Sequence, residues 1–362
     1  MEGEEFPLPA SRTTMNPNQA TELLARAEAA ETVGETLSRD DIAQLVDAVL
    51  DGGLEPDAFA AWLTRSADRL PVAAEVAGVA DALRRRMRPL EAAVARPVVD
   101  TCGTGGDGSG SFNISTAAAL VVAAAGVPVA KHGNRAVSSK TGSADVLEQF
   151  GVRVDAPLEV TRACLEQAGI CFCFAPAHHP AMAVLGPLRR RIGRPTVFNL
   201  VGPLCNPAAA TVQVIGVGRP GAERPLAEAA RLIGLSRALI VSAEDGVDEV
   251  GLFAATRVIE VTPDGLTERR WTPEDFGLAT APPAARQDLV VSSAAASAER
   301  IGVVLAGAPG PCRDIVVLNA AAVLWAAGRA EDLPAARELA EQAIDSGAAA
   351  ATLKRLAEMS QS

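Results

Sequence analysis

The residues best able to do chemistry lie in one glycine-rich stretch, Asp100-Thr-Cys-Gly-Thr-Gly-Gly-Asp-Gly-Ser-Gly-Ser-Phe-Asn-Ile-Ser-Thr. It links a short apolar run, Val98-Val99, to a segment that opens at Ser115 and Thr116 and continues as small apolar residues. Glycines without a Cβ let the backbone turn sharply and press amides against a ligand. A helix opening at Ser115 would add free N–H groups and a positive dipole end, which together favour phosphate. A charge so placed is worth roughly 0.3–1 kcal/mol when exposed and more in a dry pocket. Gly103, Gly105 and Gly108 satisfy GxGxxG, so a dinucleotide site has to be weighed. That site wants an acidic residue about 20 positions on to grip the ribose. No Asp or Glu occurs between Asp107 and Asp145, whereas Lys131, Arg135 and Lys140 do. The Walker A pattern is also absent, because Lys140-Thr141 follows serines and not the required glycine.

Four further clusters stand out. Lys131-His-Gly-Asn-Arg-Ala-Val-Ser-Ser-Lys-Thr-Gly-Ser concentrates cations, an amide and hydroxyls in a loop that ends at an expected helix cap, Ser143. It reads as a second phosphate-gripping loop. His178-His-Pro-Ala-Met leads into Leu188-Arg-Arg-Arg, and one of the three arginines is expected to point inward. The three histidines, His132, His178 and His179, all follow apolar runs that read as strands. In an open α/β sheet that end of the strands is where ligands bind, although a satisfied structural role stays open for each. Phe198-Asn-Leu-Val-Gly-Pro-Leu-Cys-Asn-Pro reads equally as a pocket wall or a plain turn. Glu244-Asp-Gly-Val-Asp-Glu places Asp248 and Glu249 as magnesium candidates, since Mg²⁺ takes one or two carboxylates plus phosphate oxygens; taken alone, it reads as a solvated acidic turn.

These groups need a scaffold. With 362 residues, two packed units are expected. The formal charge of -11 argues against nucleic-acid or anionic-membrane binding. Six scattered cysteines lack metal-ligand spacing, and Cys171 and Cys173 alternate with phenylalanines, as buried strand positions in a reducing compartment would. The opening MEGEEFPLPASRTT is acidic and has no apolar core, so no signal peptide is expected. The longest small-apolar run, Ala117–Ala125, is too short to span a bilayer. A cytoplasmic protein without a membrane partner is the expectation.

Residues 1–16 read as a flexible tail, and 17–92 as short helices broken at Asp51-Gly52-Gly53 and near Leu70-Pro71. Leu90–Arg96 reads as a linker. From Pro97 the texture alternates: strands are expected at Val98-Val99, Val127–Ala130, Ile170–Phe174, Val212–Val217 and Ala238–Val241. Helices are expected at Ser115–Ala125, Ala144–Phe150, Leu158–Ala168 and Pro225–Ile233. Residues 250–271 read as strands around a turn at Pro263-Asp264-Gly265, and Ile315–Met359 as helical. This βαβ alternation predicts an α/β fold, with a mainly parallel central sheet flanked by helices and a smaller all-helical domain.

Taken together, GTGGDGSGSFNIST, KHGNRAVSSKTGSADVLE, HHPAM, FNLVGPLCNP and GVDEV resemble the anthranilate phosphoribosyltransferases in order and spacing, from about residue 18 to the C-terminal helices. The resemblance implies magnesium-dependent transfer of phosphoribosyl from 5-phosphoribosyl-1-diphosphate (PRPP) to anthranilate, in tryptophan biosynthesis. It implies that Gly103, Gly106, Asp107, Ser111, Asn113, Ile114, Ser115 and Thr116 bind PRPP. Lys131, His132, Gly133, Asn134, Arg135, Ser138, Ser139 and Ser143 complete that set. Gly103, His132, Asn134, His179, Arg189, Gly202 and Pro203 would meet anthranilate, and Ser115, Asp248 and Glu249 the magnesium ions. No general base is obligatory; Lys131, His132 and Arg189 would position the reactants. The family arrangement implies a helical domain of 17–92 joined by helices from about 180–205, an α/β domain of 93–362 carrying both sites, and a homodimer. Ser111 and Pro195 depart from common family residues, threonine and arginine, and Ala61–Val79 strays from the common pattern. Two rivals share the architecture: a pyrimidine nucleoside phosphorylase, and a non-catalytic relative that binds nucleic acid. The KHGNR and HHPAM stretches speak against the first. The retained acidic pair and the acidic chain speak against the second.

Overall fold

The computed structural model describes residues 15–94, 97–136 and 140–362. The expected tail lies almost wholly outside these residues, as do the end of the expected linker and Ser138 and Ser139. Four helices come first: α1 (Pro17–Thr32), α2 (Arg39–Leu50), α3 (Pro56–Ser66) and α4 (Ala73–Arg84). Their starts are written in the sequence. Asn16 caps α1 in a reciprocal pair with Gln19, and Ser38 accepts from the Asp41 N–H to cap α2.

The remainder alternates: β1 (Val99–Asp100), α5 (Ile114–Ala124), β2 (Val129–Gly133), α6 (Ser143–Gln149), α7 (Leu158–Ala163), β3 (Ile170–Phe174), α8 (Ala175–His178), α9 (Met182–Ile192), β4 (Val212–Gly216), α10 (Glu223–Leu232) and β5 (Arg237–Ala243). The hairpin β6 (Thr256–Thr262) and β7 (Gly265–Trp271) turns at the expected Pro263-Asp264. Helices α11 (Ala294–Leu305), α12 (Pro311–Ala326), α13 (Leu333–Asp345) and α14 (Ala348–Ser360) close the chain. The seven strands form one sheet in the order β3-β2-β1-β4-β5-β6-β7. Strands β1 to β5 are parallel, and β6 and β7 run antiparallel at one edge. The chain therefore reverses its winding between β1 and β4, the place where open α/β sheets leave a crevice for ligands.

Two apolar clusters cover the two sheet faces. On one side α5 and α12, apolar all round, pack against each other and the sheet; a helix without a polar face must be buried. On the other side α1–α4 share a cluster with α10, with Leu185 and Leu188 of α9 and with Val197, Phe198, Leu200 and Leu204 of the following loop.

Several expectations shift. The helix expected through Leu158–Ala168 ends in a π-type turn from Cys164, with Gly169 left-handed behind it. Ser143 is the first helical residue of α6 and not its cap. Gly142 precedes it, and the Asp145 carboxylate accepts the Gly142 N–H at 2.9 Å. Helix α11 was not expected, because the alanine- and serine-rich start of the segment hides its buried Ile301, Val304 and Leu305.

Candidate active site

The glycine loop leaves β1 and folds against the end of β4. The Gly216 carbonyl accepts the Thr104 N–H at 2.8 Å, and the Gly218 N–H donates to Thr104 Oγ1 at 3.2 Å. Gly106 stands at φ 89°, a left-handed conformation that side chains resist. The amides of Gly106, Asp107 and Gly108 make no hydrogen bond among the described residues. These are the open donors of the loop.

The start of α5 differs from the expectation of free amides. Ile114 donates its N–H to Phe112 at 2.7 Å and turns its side chain into the core, so it offers a ligand neither. Thr116 and Ala117 both donate to the Asn113 carbonyl, and the Ser115 N–H donates to the Glu249 carboxylate. The anion at this helix terminus is thus the chain's own acidic loop, held where the dipole favours it. Asp248 lies beside it. Its carboxyl shares a hydrogen bond with that of Asp107 and accepts the Gly105 N–H. Asp248 and Glu249 keep some solvent contact yet lie deep in the cleft. Burial pushes both carboxyls up. Asp107 raises Asp248 further, and Asp248 raises Glu249, while Lys131 opposes the shift at Glu249. Three crowded carboxyls beside a loop with open amides form an arrangement that a divalent cation would relieve. Asp107, Asp248 and Glu249 do not close into a set of ligand atoms within 4.8 Å. That suits Mg²⁺, which keeps places for water and phosphate oxygens.

Lys131 is buried and points toward the same corner, with Nζ at 3.0 Å from Thr101 Oγ1, 3.2 Å from the Thr101 carbonyl and 3.3 Å from Ser115 Oγ. Its neighbour on β2, His132, faces the other way. His132 and His179 have ring centroids 5.1 Å apart, and the Gly202 carbonyl accepts from His132 Nδ1 at 3.1 Å. Burial holds both imidazoles neutral, His132 well below its ordinary value and His179 at about 4. Pro203 is buried, and its carbonyl accepts from Gln213. The third histidine, His178, is satisfied structurally, with Nδ1 at 2.8 Å from the Arg88 carbonyl.

Among the second-loop residues, Asn134 is exposed, and its carbonyl accepts from Ala144 and from Ser143 Oγ. Gly133 leaves no room for a Cβ beside Ser143. Asn113 Oδ1 accepts from Ser297 at 2.8 Å and from Thr141 at 3.1 Å, and so ties α5 to α11. Arg135 is committed elsewhere: it is exposed and doubly paired with Glu148 at 2.5 and 2.6 Å. Arg189 is the arginine that turns inward. Its guanidinium sits 5.9 Å from the Phe198 ring centroid, while Arg191 reaches Asp57. Arg189 is half-buried, burial lowers its pKa, and it makes no ion pair among the described residues.

Several positioning residues escaped the sequence reading. Asn319, inside apolar α12, clamps Val250 on both sides: its Oδ1 accepts from the Val250 N–H at 2.9 Å, and its Nδ2 donates to the Val250 carbonyl at 3.1 Å. An asparagine amid an apolar helical run is the signal that could have found it. Gly216-Val-Gly218 after β4 is another. A Cβ on Gly216 would overlap the Asp248 carbonyl, and one on Gly218 would lie 2.6 Å from the Asp107 N. Gly216→Ala is therefore expected to cost about 1–3 kcal/mol and to displace the acidic loop. Thermal unfolding and turnover measured together check it; unchanged values for both would show that the loop yields freely.

The chain also matches known proteins along most of its length. Residues 95–350 match the glycosyl transferase family a/b domain, and residues 30–87 match the helical bundle domain of that family. Anthranilate phosphoribosyltransferase of Thermomicrobium roseum is 47% identical over 326 residues, covering 89% of this chain and 93% of the relative. The chain belongs to the anthranilate phosphoribosyltransferase family. The enzyme of Rubrobacter xylanophilus is 43% identical over 93% of this chain and 98% of its own length. The crystal structure of the Thermus thermophilus family member superposes with a TM-score of 0.85 at 38% identity, covering 96% of this chain and 100% of that one. The Saccharomyces cerevisiae member, solved in complex with PRPP and Mg, has a TM-score of 0.82 at 23% identity and shares the fold.

Proposed function

We propose that this chain transfers the phosphoribosyl group of PRPP to the amine of anthranilate, giving N-(5-phosphoribosyl)anthranilate and diphosphate in tryptophan biosynthesis. The observation that carries the proposal is the crowding of Asp107, Asp248 and Glu249 against the glycine loop, at the Gly105 and Ser115 amides, where the amides of Gly106 to Gly108 stay open. Breaking the bond from ribose C1 to diphosphate builds negative charge on the leaving group. The amides of Gly106 to Gly108 would face that charge, and Lys131, with Nζ 3.3 Å from Ser115 Oγ, would add a cation nearby. Asp248 and Glu249, with Ser115 beside them, would hold magnesium, which would supply charge neutralisation at the diphosphate. Ser111, Asn113, Thr116, Asn134, Ser143 and the residues of 138–139 complete the PRPP contacts. In this reading Arg135 would have to leave Glu148 to join them, and Ile114 serves only as packing.

Anthranilate enters between the neutral His132–His179 pair and Arg189, with Gly202, Pro203, Gly103 and Asn134 around it. Its amine is neutral and weakly nucleophilic, so placement beside C1 contributes more than a base would. The proposal divides the chain into a helical unit of 17–92 joined by 180–205 and an α/β unit of 93–362. It makes the protein a cytoplasmic homodimer, with apolar Val33 and Val72 left exposed on the helical side. Purified protein mixed with PRPP, Mg²⁺ and anthranilate is expected to extinguish anthranilate fluorescence. Persistent fluorescence under those conditions would return the chain to a binding role.

A further inference from the structure

Strand alternation sets a second group of ligand-bearing side chains behind the glycine loop. Asp100 and Cys102 fall on one face of β1 and its continuation, and Thr101 falls on the other, where it meets Lys131. The Val99–Val129 pairing of β1 with β2, continued in register, brings Cys102 beside His132. One ligand atom from each of Asp100, Cys102 and His132 lies within 4.8 Å of the others, the only such trio of His, Cys, Asp or Glu among the described residues.

The imidazole is prepared for a metal. A carbonyl can only accept, so the contact with Gly202 puts the proton on His132 Nδ1 and leaves a lone pair on Nε2. That Nε2 is buried and has no hydrogen-bond partner among the described residues. Asp100 is fully buried and fixed by outer partners: the His132 N–H donates to its Oδ1 at 3.2 Å, and Asn206 Nδ2 donates to its Oδ2 at 2.8 Å. Cys102 is the least buried of the six cysteines and adjoins the open phosphate loop, which supplies an entry path.

We propose that Asp100, Cys102 and His132 form a binding site for a divalent cation of the zinc class, with a fourth position open to water. Sulfur, imidazole nitrogen and one carboxylate oxygen suit zinc, whereas the acidic loop presents the all-oxygen set that magnesium prefers. Zinc bonds of ~2.0–2.3 Å put tetrahedral ligand atoms roughly 3.5 Å apart. With Asp100 and His132 held, rotation of the Cys102 side chain, whose thiol has only a 3.6 Å contact to the Gly103 carbonyl, draws the set toward that spacing. As the sulfur–metal bond forms, the Cys102 proton leaves to solvent; His132 contributes its lone pair and Asp100 its carboxylate. His132 belongs to the anthranilate pocket of the proposed function, so the bound ion blocks transfer. That consequence rests on that reading, and the metal binding does not.

Cobalt(II) alone, titrated into the full-length protein, tests the site. The expected result is a saturable thiolate-to-cobalt charge-transfer band that zinc displaces and that Cys102→Ser abolishes. The serine keeps the small donor, and Cys102→Ala carries the same expectation should the serine variant fold poorly. At saturating Mg²⁺, zinc should inhibit the wild type at least about tenfold more strongly than the variant. The uninhibited rate of the variant should match that of the wild type. Absence of the band in the wild type, or its persistence in both variants, overturns the site. A band without inhibition upholds the site and overturns only the placement of His132 in the transfer pocket.

Discussion

Asp248→Asn combined with Glu249→Gln is expected to lower turnover by about a thousandfold or more at saturating Mg²⁺, while the metal-free protein becomes more stable. Losing a single preorganised charge-stabilising group costs roughly 10²–10³ in turnover, and here both carboxylates of the proposed cation site go at once. The stability half follows from the same crowding. Burial and the neighbouring Asp107 raise Asp248 to about 7, and Glu249 is raised as well. A carboxyl raised in the folded state binds its proton more tightly there than in the unfolded chain. The penalty is therefore fully present above the folded value and fades as pH falls toward the ordinary value of 3.8. Neutral amides avoid it while still accepting from the Gly105 and Ser115 amides. A tenfold change in proton affinity corresponds to about 1.4 kcal/mol, so a gain of at least about 1 kcal/mol is expected near pH 8, shrinking toward pH 4. Steady-state rates and metal-free thermal unfolding at the two pH values check both halves. Wild-type turnover in the double variant would remove both residues from the site.

The parts of this site that could be read from the sequence are those whose residue types have no cheap alternative use. A run of glycines before Ser115 buries little apolar surface, so its conformational freedom points to a ligand. Lys131, buried among hydroxyls, and the adjacent Asp248 and Glu249 are costly unless something of opposite charge meets them. The βαβ order was legible from alternating apolar runs, down to the edge hairpin at Pro263-Asp264. What stayed hidden depends on partners far along the chain. Asn319 reads as one polar residue in an apolar helix, and only the fold brings it to Val250. Ser297 looks like part of an unremarkable segment until it meets Asn113 at 2.8 Å. The free amides expected at α5 were lost for the same reason: Glu249, 134 positions beyond Ser115 by number, occupies the helix terminus. Arg135 shows the converse. Its type and place match a phosphate ligand, yet Glu148, one helix later, is closer to hand.

Arg189→Ala is expected to reduce kcat/KM for anthranilate at least tenfold, with the KM for PRPP nearly unchanged. A guanidinium taken half out of water loses solvation, and burial is the sole cause that lowers its pKa. The neighbouring arginines stay exposed and are paired as well, Arg191 with Asp57 and Arg194 with Asp68. Among the described residues, Arg189 makes no ion pair and has the face of Phe198 beside it. A contact of that kind contributes ~0.5–1 kcal/mol where exposed and leaves the N–H donors free. The anthranilate carboxylate would accept from those donors, and hydrogen bonds to charged groups contribute ~1.5–3 kcal/mol each. Since ~1.4 kcal/mol is a factor of ten, one such bond already gives the expected loss. Arg189→Lys should recover only part of it, because an ammonium cannot match both carboxylate oxygens in one plane. Steady-state kinetics with each substrate varied in turn separates the two binding steps. An unchanged KM and kcat for anthranilate in the alanine variant would take Arg189 out of the pocket.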